Sequence, residues 1–325
     1  RRSNTPANNN PDKTPNDNIL HLPNHAPVKN FPPRMSRLTP TQKPPRCPLD
    51  APPSHRLNKP MNQPQPEALL QTAILAVQRA TQHAKANLHR RQESIAIDAH
   101  DIKLALDVEC QAIIEETILH AHPQHAILGE EGEQPQTNTP YQWIVDPIDG
   151  TVNFSHSFPY WCSSVAVQHE NKTIAGAVLA PESNELFTAT TDTPACLNHQ
   201  PIHATQTAQL DHAMILTGMN KSRLYPRSPT FETLITLTEQ ARKIRMNGAA
   251  ALDLCQIAAG RSDGFLEYGL YQWDFAAAGL IAQQAGATLT LAPDPAIAHR
   301  AAVLCANPAL HNTLHPIWKQ GIPHA

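Results

Sequence analysis

Long apolar runs are missing from this chain of 325 residues. Residues 1–66 contain no apolar stretch of the roughly 7–15 residues that a secretory signal peptide needs. Nothing later in the chain approaches the ~18 consecutive apolar residues of a membrane span. These absences disfavour a membrane protein, and we expect a cytoplasmic one.

CxxC and HExxH motifs are also missing. The six cysteines are scattered without a CxxC pair, and most lie in apolar runs such as "LDLCQIAAG". The eighteen histidines include no HExxH motif of the kind that binds zinc. We therefore expect reduced cysteines in the core, and neither a disulfide framework nor a zinc site.

Charge is unevenly distributed, although the formal net charge is only −3. Residues 1–66 contain ten Lys and Arg against three Asp and Glu, whereas residues 67–325 contain fifteen against twenty-five. An acidic body attracts cations and disfavours a nucleic-acid surface. Nucleic acid is expected to bind, at most weakly, through the basic N-terminal segment.

The N-terminal segment differs from the rest in composition as well as charge. Residues 1–66 hold sixteen of the 31 prolines, with many Asn and few apolar residues. Such a segment buries too little apolar surface to offset its ordering entropy, so we expect a disordered basic extension. A catalytic domain is predicted over 67–325, with approximate halves 67–210 and 211–325.

Periodic patterns in the two halves predict an α+β fold. Helical patterns begin at Pro66 and at Asp107, and short β-rich runs with turn signals follow, which indicates an antiparallel N-terminal half. From about residue 211, strand and helix patterns alternate, which indicates an alternating α/β C-terminal half. Together they predict stacked layers of helices and sheets.

Acidic residues occur where three apolar segments end, in "ILGEEGE", "WIVDPIDGT" and "YQWDFAAAG". A fourth acid, Asp107, opens the second predicted helix. Several carboxylates in one cleft repel one another unless a cation neutralises them. Their oxygen donors, without His or Cys, favour Mg²⁺ or Mn²⁺ over zinc.

The motif "DPIDGT" suits a tight turn, but it also suits a metal and phosphate site. Pro147 stiffens the chain, so that Asp146 and Asp149 project to one side. The backbone N–H groups of Gly150 and Thr151 could then bind a phosphate opposite the acids.

Two other kinds of site are also built from clustered carboxylates. A calcium-binding EF-hand loop counted from Asp146 fails on spacing, since its third, fifth and twelfth positions hold Ile148, Gly150 and Ser157. A glycosidase pair of carboxylates stays open, although nothing in the sequence singles out such a pair.

The segments "GEE", "WIVDPIDGTVNF" and "WDFAAAG", in this order, resemble the signature segments of the inositol monophosphatase family. The resemblance covers roughly residues 67–320. It implies a layered αβαβα sugar-phosphatase fold and a Mg²⁺-dependent, lithium-sensitive phosphomonoesterase that acts as a homodimer. Two or three Mg²⁺ ions would bind, with Mn²⁺ as a substitute.

The resemblance also implies roles for individual residues. Metal ligands would be Glu130, Asp146, the Ile148 carbonyl, Asp149 and Asp274. The catalytic residues would be Glu130, Thr151 and Asp107, with the last two orienting a metal-activated water. Phosphate and substrate contacts would come from Asp149, Gly150, Thr151, Gly248, Ala249, Ala250 and Glu267.

Some positions depart from the family pattern or have no clear assignment. At Ala249 the family often has Ser or Thr, and Leu104 and Leu106 replace small polar residues before Asp107. These departures concern the finer contacts and a weakly held extra metal rather than the main cluster. Glu131 could equally be a ligand or a supporting acid behind the ligands.

Substrate identity is less well determined by the sequence. The pair Asn153-Phe154 resembles members that act on inositol and related sugar phosphates, whereas nucleotide-directed relatives usually carry Glu-Phe. Inositol-1-phosphate is the first candidate, followed by histidinol phosphate and fructose-1,6-bisphosphate. A non-catalytic regulator that binds RNA or protein through its basic tail is the alternative of a different class.

Overall fold

The computed structural model describes residues 65–97, 102–132, 139–219 and 228–322. The predicted extension over 1–66 lies almost entirely outside these residues, so its disorder stays a prediction. The helices of the described part are α1 (Pro66–Ala86), α2 (Ala105–Ala121), α3 (Thr151–Ser155), α4 (Ser228–Gln240), α5 (Ala250–Ala258), α6 (Gln272–Gln284) and α7 (Pro308–Gln320).

The strands are grouped into three sheets. The first two strands form a short hairpin, the next seven form the largest sheet, and the last five form the third sheet. They are β1 (Ser94–Ile97), β2 (Ile102–Leu104), β3 (Ala126–Gly129), β4 (Tyr141–Asp149), β5 (Cys162–His169), β6 (Lys172–Ala180), β7 (Glu185–Thr190), β8 (Thr193–Leu197), β9 (Gln200–Pro201), β10 (Met214–Thr217), β11 (Lys243–Arg245), β12 (Gly264–Tyr271), β13 (Thr288–Pro293) and β14 (Arg300–Ala306).

The two larger sheets differ in topology. In the seven-stranded sheet, β3 and β4 are parallel and every later pair from β4 to β9 is antiparallel. In the five-stranded sheet, with order β11-β10-β12-β14-β13, β10 is parallel to both neighbours and β14 is antiparallel to both of its own.

Helices and sheets alternate as five layers. Helices α1 and α2 pack on one face of the seven-stranded sheet, and α6 packs on the other face. Helices α5 and α6 also contact the five-stranded sheet, whose outer face is covered by α4 and α7. Three apolar cores fill the spaces between these layers. The layered αβαβα prediction is therefore confirmed.

The predicted elements are found with shifted ends. Helix α1 ends at Ala86, where the side-chain amide of Asn87 and its backbone N–H both donate to the His83 carbonyl. The hairpin of β1 and β2 and the short strands β8 and β9 were not predicted, since strands of two to five residues show little periodic pattern. Among the described residues, no helix has both the length and the apolarity needed to cross a bilayer.

Candidate active site

Strand β4 contains a bulge at its two aspartates. Asp146 pairs with Ser164 of β5 and Asp149 pairs with Cys162, so β4 advances three residues while β5 advances two. In a regular strand, side chains three positions apart point to opposite faces. The extra residue brings Asp146 and Asp149 back to one face, and Pro147, which has no N–H to donate, lies within the bulge.

A cleft of about 450 Å³ lies beside the bulge. All the predicted site residues except Asp107 line this cleft. They are Glu130, Asp146, Ile148, Asp149, Gly150, Thr151, Gly248, Ala249, Ala250, Glu267 and Asp274. Another part of the wall is more apolar and includes Gly218, Met219, Met246 and Leu270. The fold thus gathers residues from separated segments of the chain into one cleft.

Asp146 is the most deeply buried acid of the cleft, with only 1% of its surface exposed. Its Oδ1 atom has no hydrogen-bond partner. Burial raises the pKa of Asp146 well above its usual value, and the charges of Glu130, Asp149 and Asp274 raise it further. An ionised Asp146 therefore needs a positive charge that these neighbouring acids do not supply.

Asp149 lies at the N-terminus of helix α5. Its Oδ1 accepts the N–H of Ala250 at 3.1 Å, and its Oδ2 accepts those of Ala251 and Leu252 at 2.8 and 3.3 Å. Burial raises the pKa of Asp149 to about 6, while the hydrogen bonds from Leu252 and its neighbours oppose the shift. The N–H groups at a helix start stabilise a negative charge, and Oδ1, which accepts a single N–H, keeps a further lone pair for a ligand.

Asp274 and Glu267 reach the cleft from the five-stranded sheet and its following helix. Asp274 is the third residue of α6, and its Oδ2 accepts the Tyr271 N–H at 2.7 Å. Glu267 precedes a second bulge, between Glu267 and Leu270 in the pairing of β12 with β14. Burial raises the pKa of Glu267 well above its usual value, and the charge of Asp274 adds to this shift.

Glu130 and Glu131 follow β3 but have different surroundings. The Glu130 N–H donates to the Val145 carbonyl at 3.1 Å, which holds this residue beside β4. The Glu131 carboxylate forms an ion pair with Lys103, and the Gln111 side chain bonds both the N–H and the carbonyl of Glu131. Because Lys103 already neutralises its charge, Glu131 is better placed as a supporting acid behind the ligands than as a metal ligand.

Thr151 and Asp107 are placed differently from the other predicted residues. The Thr151 hydroxyl donates to the Ile148 carbonyl at 3.0 Å. Asp107, 2% exposed, accepts the Leu104 N–H at 3.2 Å near the start of α2. The proton of Thr151 is directed to Ile148, so the pairing of Thr151 with Asp107 stays a prediction. It would require the hydroxyl to rotate.

Gly150 is required by both its backbone and its neighbours. Its φ of 88° is in the left-handed region, which suits glycine. A Cβ atom at this position would lie 3.1 Å from the Cβ of Ala249 and 3.1 Å from the carbonyl oxygen of Tyr160. The chain therefore passes through Gly150 with no room for a side chain.

The residues that depart from the family pattern have structural explanations. Ala249 precedes α5 as its N-cap and offers no side-chain cap, while Asp149 supplies the acceptors instead. Leu104 and Leu106 are 1% and 0% exposed and belong to the core between α2 and the large sheet. These two leucines fill the core rather than replace polar groups of the cleft.

A polar network behind the cleft was missed in the sequence. The Asn153 Nδ2 donates to the carbonyls of Tyr160 and Asn247 at 2.8 and 2.7 Å. The Tyr160 hydroxyl and the Asn247 Nδ2 both donate to Oδ1 of Asp253, at 2.6 and 2.7 Å. Burial raises the pKa of Asp253 to about 7, and these two bonds oppose the shift. A lone acid in the apolar run "ALDLCQIAA" is the signal that could have indicated a buried, paired carboxylate.

The donor set of the cleft fits a hard divalent cation. Carboxylates line the cleft without His or Cys, and Asp146 leaves one buried oxygen without a hydrogen bond. Among the described residues, no three His, Cys, Asp or Glu side chains are already drawn together as a finished metal cage. The acids are nevertheless close enough to raise one another's pKa. A bound cation would therefore pull these neighbouring carboxylates closer together.

The sequence of this chain is similar to known proteins along most of its length. The sequence profile of the inositol monophosphatase family matches residues 62–321. The inositol-1-monophosphatase of Synechocystis is 39% identical over 189 residues, which are 58% of this chain and 66% of that protein, just under two thirds. The Nus factor SuhB of Vibrio cholerae is 36% identical over 68% of this chain and 84% of its own length.

Solved structures agree with the sequence comparison. The extragenic suppressor protein suhB from Bartonella henselae superposes with a TM-score of 0.73 at 29% identity, and covers 78% of this chain and all of its own. The inositol monophosphatase from Anabaena superposes with a TM-score of 0.68 at 28% identity, over 79% of this chain and 97% of its own. The chain belongs to the inositol monophosphatase family.

Proposed function

We propose that this member of the inositol monophosphatase family is a metal-dependent phosphomonoesterase for a small polyol or sugar phosphate, with inositol-1-phosphate as the first candidate. The observation that carries the proposal is the cleft beside the β4 bulge. There, carboxylates with raised pKa values lie with the N–H groups of Gly150 and Thr151 and with Glu267. The proposed cation, phosphate and alcohol sites would thus share one cleft.

The proposed cofactor is Mg²⁺, in two or three positions, with Mn²⁺ as a substitute. Its ligands would be the Ile148 carbonyl and the carboxylates of Glu130, Asp146, Asp149 and Asp274. When bound, the cation neutralises phosphate charge and makes water more acidic. The lithium sensitivity expected from the family belongs to this same proposal.

The remaining steps are assigned to groups of the chain. The N–H groups of Gly150 and Thr151 hold phosphate oxygens at the positive end of a helical turn. Thr151 and Asp107 orient the attacking water, and Glu267 accepts a hydroxyl of the leaving alcohol. Positioning and charge neutralisation dominate phosphoryl transfer, so no covalent intermediate with the protein is needed.

The test is phosphate release from inositol-1-phosphate, histidinol phosphate, fructose-1,6-bisphosphate and 3′-phosphoadenosine phosphate. Each would be run with Mg²⁺, with EDTA and with lithium. Release that requires Mg²⁺ and is inhibited by lithium supports the proposal, and the preferred substrate identifies the reaction. No release from any of these esters by folded protein with Mg²⁺ would contradict it.

A second candidate is a regulator that keeps this fold and binds RNA or protein. Relatives named Nus factor SuhB, rather than named as phosphatases, are the observation that favours it. The basic segment over 1–66 would be the binding element, and it lies outside the described residues. Salt-sensitive RNA binding that disappears when 1–66 is deleted would support this role.

The predicted homodimer also belongs to the proposed function. Light scattering coupled to size exclusion measures the mass in solution against 35.7 kDa for one chain. A mass of about twice that value supports a dimer. A monomer at micromolar concentration would contradict it.

A further inference from the structure

Helix α5 begins at the floor of the cleft without a cap of its own. Its N-cap residue is Ala249, which has no side-chain acceptor. The residues just before and at the helix start, Gly248 to Ala250, line the cleft. Asp149 bonds the first N–H groups of the helix from one side. The position of this floor, Gly248 to Ala250, therefore depends on side chains that belong to other segments.

Asp253 provides the second attachment of this floor, from inside the protein. Its carboxylate is 1% exposed, and its Oδ1 accepts both the Tyr160 hydroxyl and the Asn247 Nδ2. The Asn153 Nδ2 then joins the backbone carbonyls of Tyr160 and Asn247. The carboxylate thus joins α5 to the residues before β5 and to the residues before α5, and Asn153 of α3 bonds the backbone of both.

The network has a consequence for the side chain of Asn247. This residue lines the cleft and is partly exposed there. Its amide nitrogen donates to Asp253 at 2.7 Å and lies 3.5 Å from the Tyr160 hydroxyl. Because the nitrogen is committed to these acceptors, the amide oxygen is the atom that Asn247 can offer to a ligand.

A hydroxyl-bearing alcohol is the ligand that matches such an arrangement. The Asn247 oxygen accepts but cannot donate, and Glu267 contributes a second acceptor to the cleft when ionised. Hydroxyl groups on a polyol phosphate supply the matching donors. An apolar alcohol of the same size supplies none, so it would leave both acceptors without hydrogen bonds.

We propose that Asp253 is a positioning residue for substrate recognition, which orients Asn247 so that its amide oxygen accepts a hydroxyl of a polyol phosphate. This proposal rests on the proposed phosphatase function and deepens it. Asp253 itself does not line the cleft and acts through Asn247. Asn247 becomes a specificity-determining residue that discriminates polyol phosphates from phosphates of apolar alcohols.

The test compares inositol-1-phosphate with cyclohexyl phosphate, which has the same ring without hydroxyls. Full-length Asp253→Leu and Asn247→Ala are expected to raise KM about tenfold for inositol-1-phosphate and to leave KM for cyclohexyl phosphate within about twofold. Asp253→Asn keeps an acceptor oxygen and should restore KM to within about threefold of the original. The kcat of each variant should change less than its KM.

Hydrogen exchange separates this proposal from the phosphatase proposal. In the chain without substrate, Asp253→Leu should speed exchange of the Ala250, Ala251 and Leu252 amides about tenfold, with β10 unchanged. If the original chain hydrolyses neither ester, the phosphatase proposal fails, while exchange still tests the attachment. Equal losses on both esters, or unchanged exchange in Asp253→Leu, would overturn the positioning role.

Discussion

The two ends of strand β4 both hold clusters of titratable groups, yet only one end resembles a site. At the end near Asp149, burial and neighbouring acids raise carboxyl pKa values. At the opposite end, the rings of His125 and Tyr141 stack at 4.6 Å, and the Trp143 Nε1 donates to His125 Nδ1 at 3.1 Å. At the histidine end, the ring is neutral and its hydrogen bond is satisfied. At the acidic end, the neighbours that raise the pKa of Asp146 are themselves acids, so they supply no positive charge to neutralise it.

The same difference explains the directions of the pKa shifts. Burial lowers the pKa of His125 to about 4, so this ring is neutral at pH 7 and accepts from Trp143 as an uncharged acceptor. Burial raises the pKa of Asp146 because nothing cationic among its perturbing neighbours compensates it. Titratable residues in proximity therefore do not define a site. A buried ionisable group that lacks a neighbouring opposite charge is the better criterion.

The largest expected effect comes from Asp146→Asn at the acidic end. We expect turnover to fall at least about a hundredfold, because a ligand charge is lost from the cation site. The melting temperature in EDTA should not fall, since the variant removes a buried charge that has no counter-charge. Phosphate release and thermal unfolding measure the two effects, with the exposed Glu182→Gln as the matched control. Near-normal turnover in Asp146→Asn would contradict the ligand assignment.

The next effect concerns the backbone beside the same acids. Gly150→Ala should destabilise the fold by about 2–4 kcal/mol, because strain at positive φ is joined by contacts with Ala249 and Tyr160. Gly286→Ala is the control, since Gly286 has a φ of 94° and nothing within 4 Å of an added Cβ. Urea unfolding of both variants separates the cost of backbone strain, which both share, from the cost of the close contacts, which only Gly150→Ala makes. Equal destabilisation in the two would show that the close approach at Gly150 costs nothing.

At the opposite end of β4, His125→Leu should affect stability without affecting chemistry. Trp143 is 0% exposed, and loss of its acceptor leaves a buried N–H unpaired, at a cost of about 1–3 kcal/mol. Urea unfolding measures the loss, and kcat should stay within about twofold because the change is remote from the cleft. The exposed His120→Leu serves as the control. A large fall in kcat would mean that the two ends are coupled.

The smallest effect is a difference in pH dependence between the two ends, measured in EDTA. The pKa of Asp149 rises from 3.8 to about 6, so the folded chain binds more protons in that window, and this contribution to stability is lost as pH rises through it. The pKa of His125 falls from 6.5 to about 4, so its contribution is present above 6.5 and is lost as pH falls through 4. The two ends therefore oppose each other.

Variants at each end should separate these opposing contributions. Asp146 is a second carboxyl whose raised pKa favours the folded chain at low pH, so between pH 4 and 6.5 the melting temperature of Asp146→Asn should rise more steeply with pH. The melting temperature of His125→Leu should rise less steeply. The differences should be about 2–4 °C, the change that about 1 kcal/mol produces in a domain of this size. Parallel curves for all three proteins would contradict the pKa shifts. Added Mg²⁺ should raise melting temperature more at pH 7.5 than at pH 5.5, since protons compete for the same carboxylates.

Several features were predictable from the sequence because they are local. The apolar periodicities indicate most helices and strands, including the antiparallel strands from β5 to β7 and the alternating C-terminal half. The acids at segment ends indicate a hard-cation cleft, because carboxylates without His or Cys favour such a cation regardless of how they are assembled. The motif in β4 carried this signal most clearly.

Other features depended on contacts between distant segments. The turn expected at "DPID" is a bulge, because pairing with β5 keeps the strand extended while Pro147 prevents a regular ladder. The ion pair of Glu131 with Lys103 joins segments that are far apart in the sequence, and so does the hydrogen bond of Tyr160 with Asp253. No local pattern encodes these partners.

The sequence by itself therefore determined the layered fold and the chemistry of the acids, since periodicity and donor type are properties of the residues. Tertiary structure alone decided which acids lack a counter-charge and which are already paired. A carboxylate with a counter-charge and one without it are chemically the same group, and only their surroundings differ. Asp146 is buried with an unbonded oxygen, whereas Glu131 is half-buried and paired with Lys103.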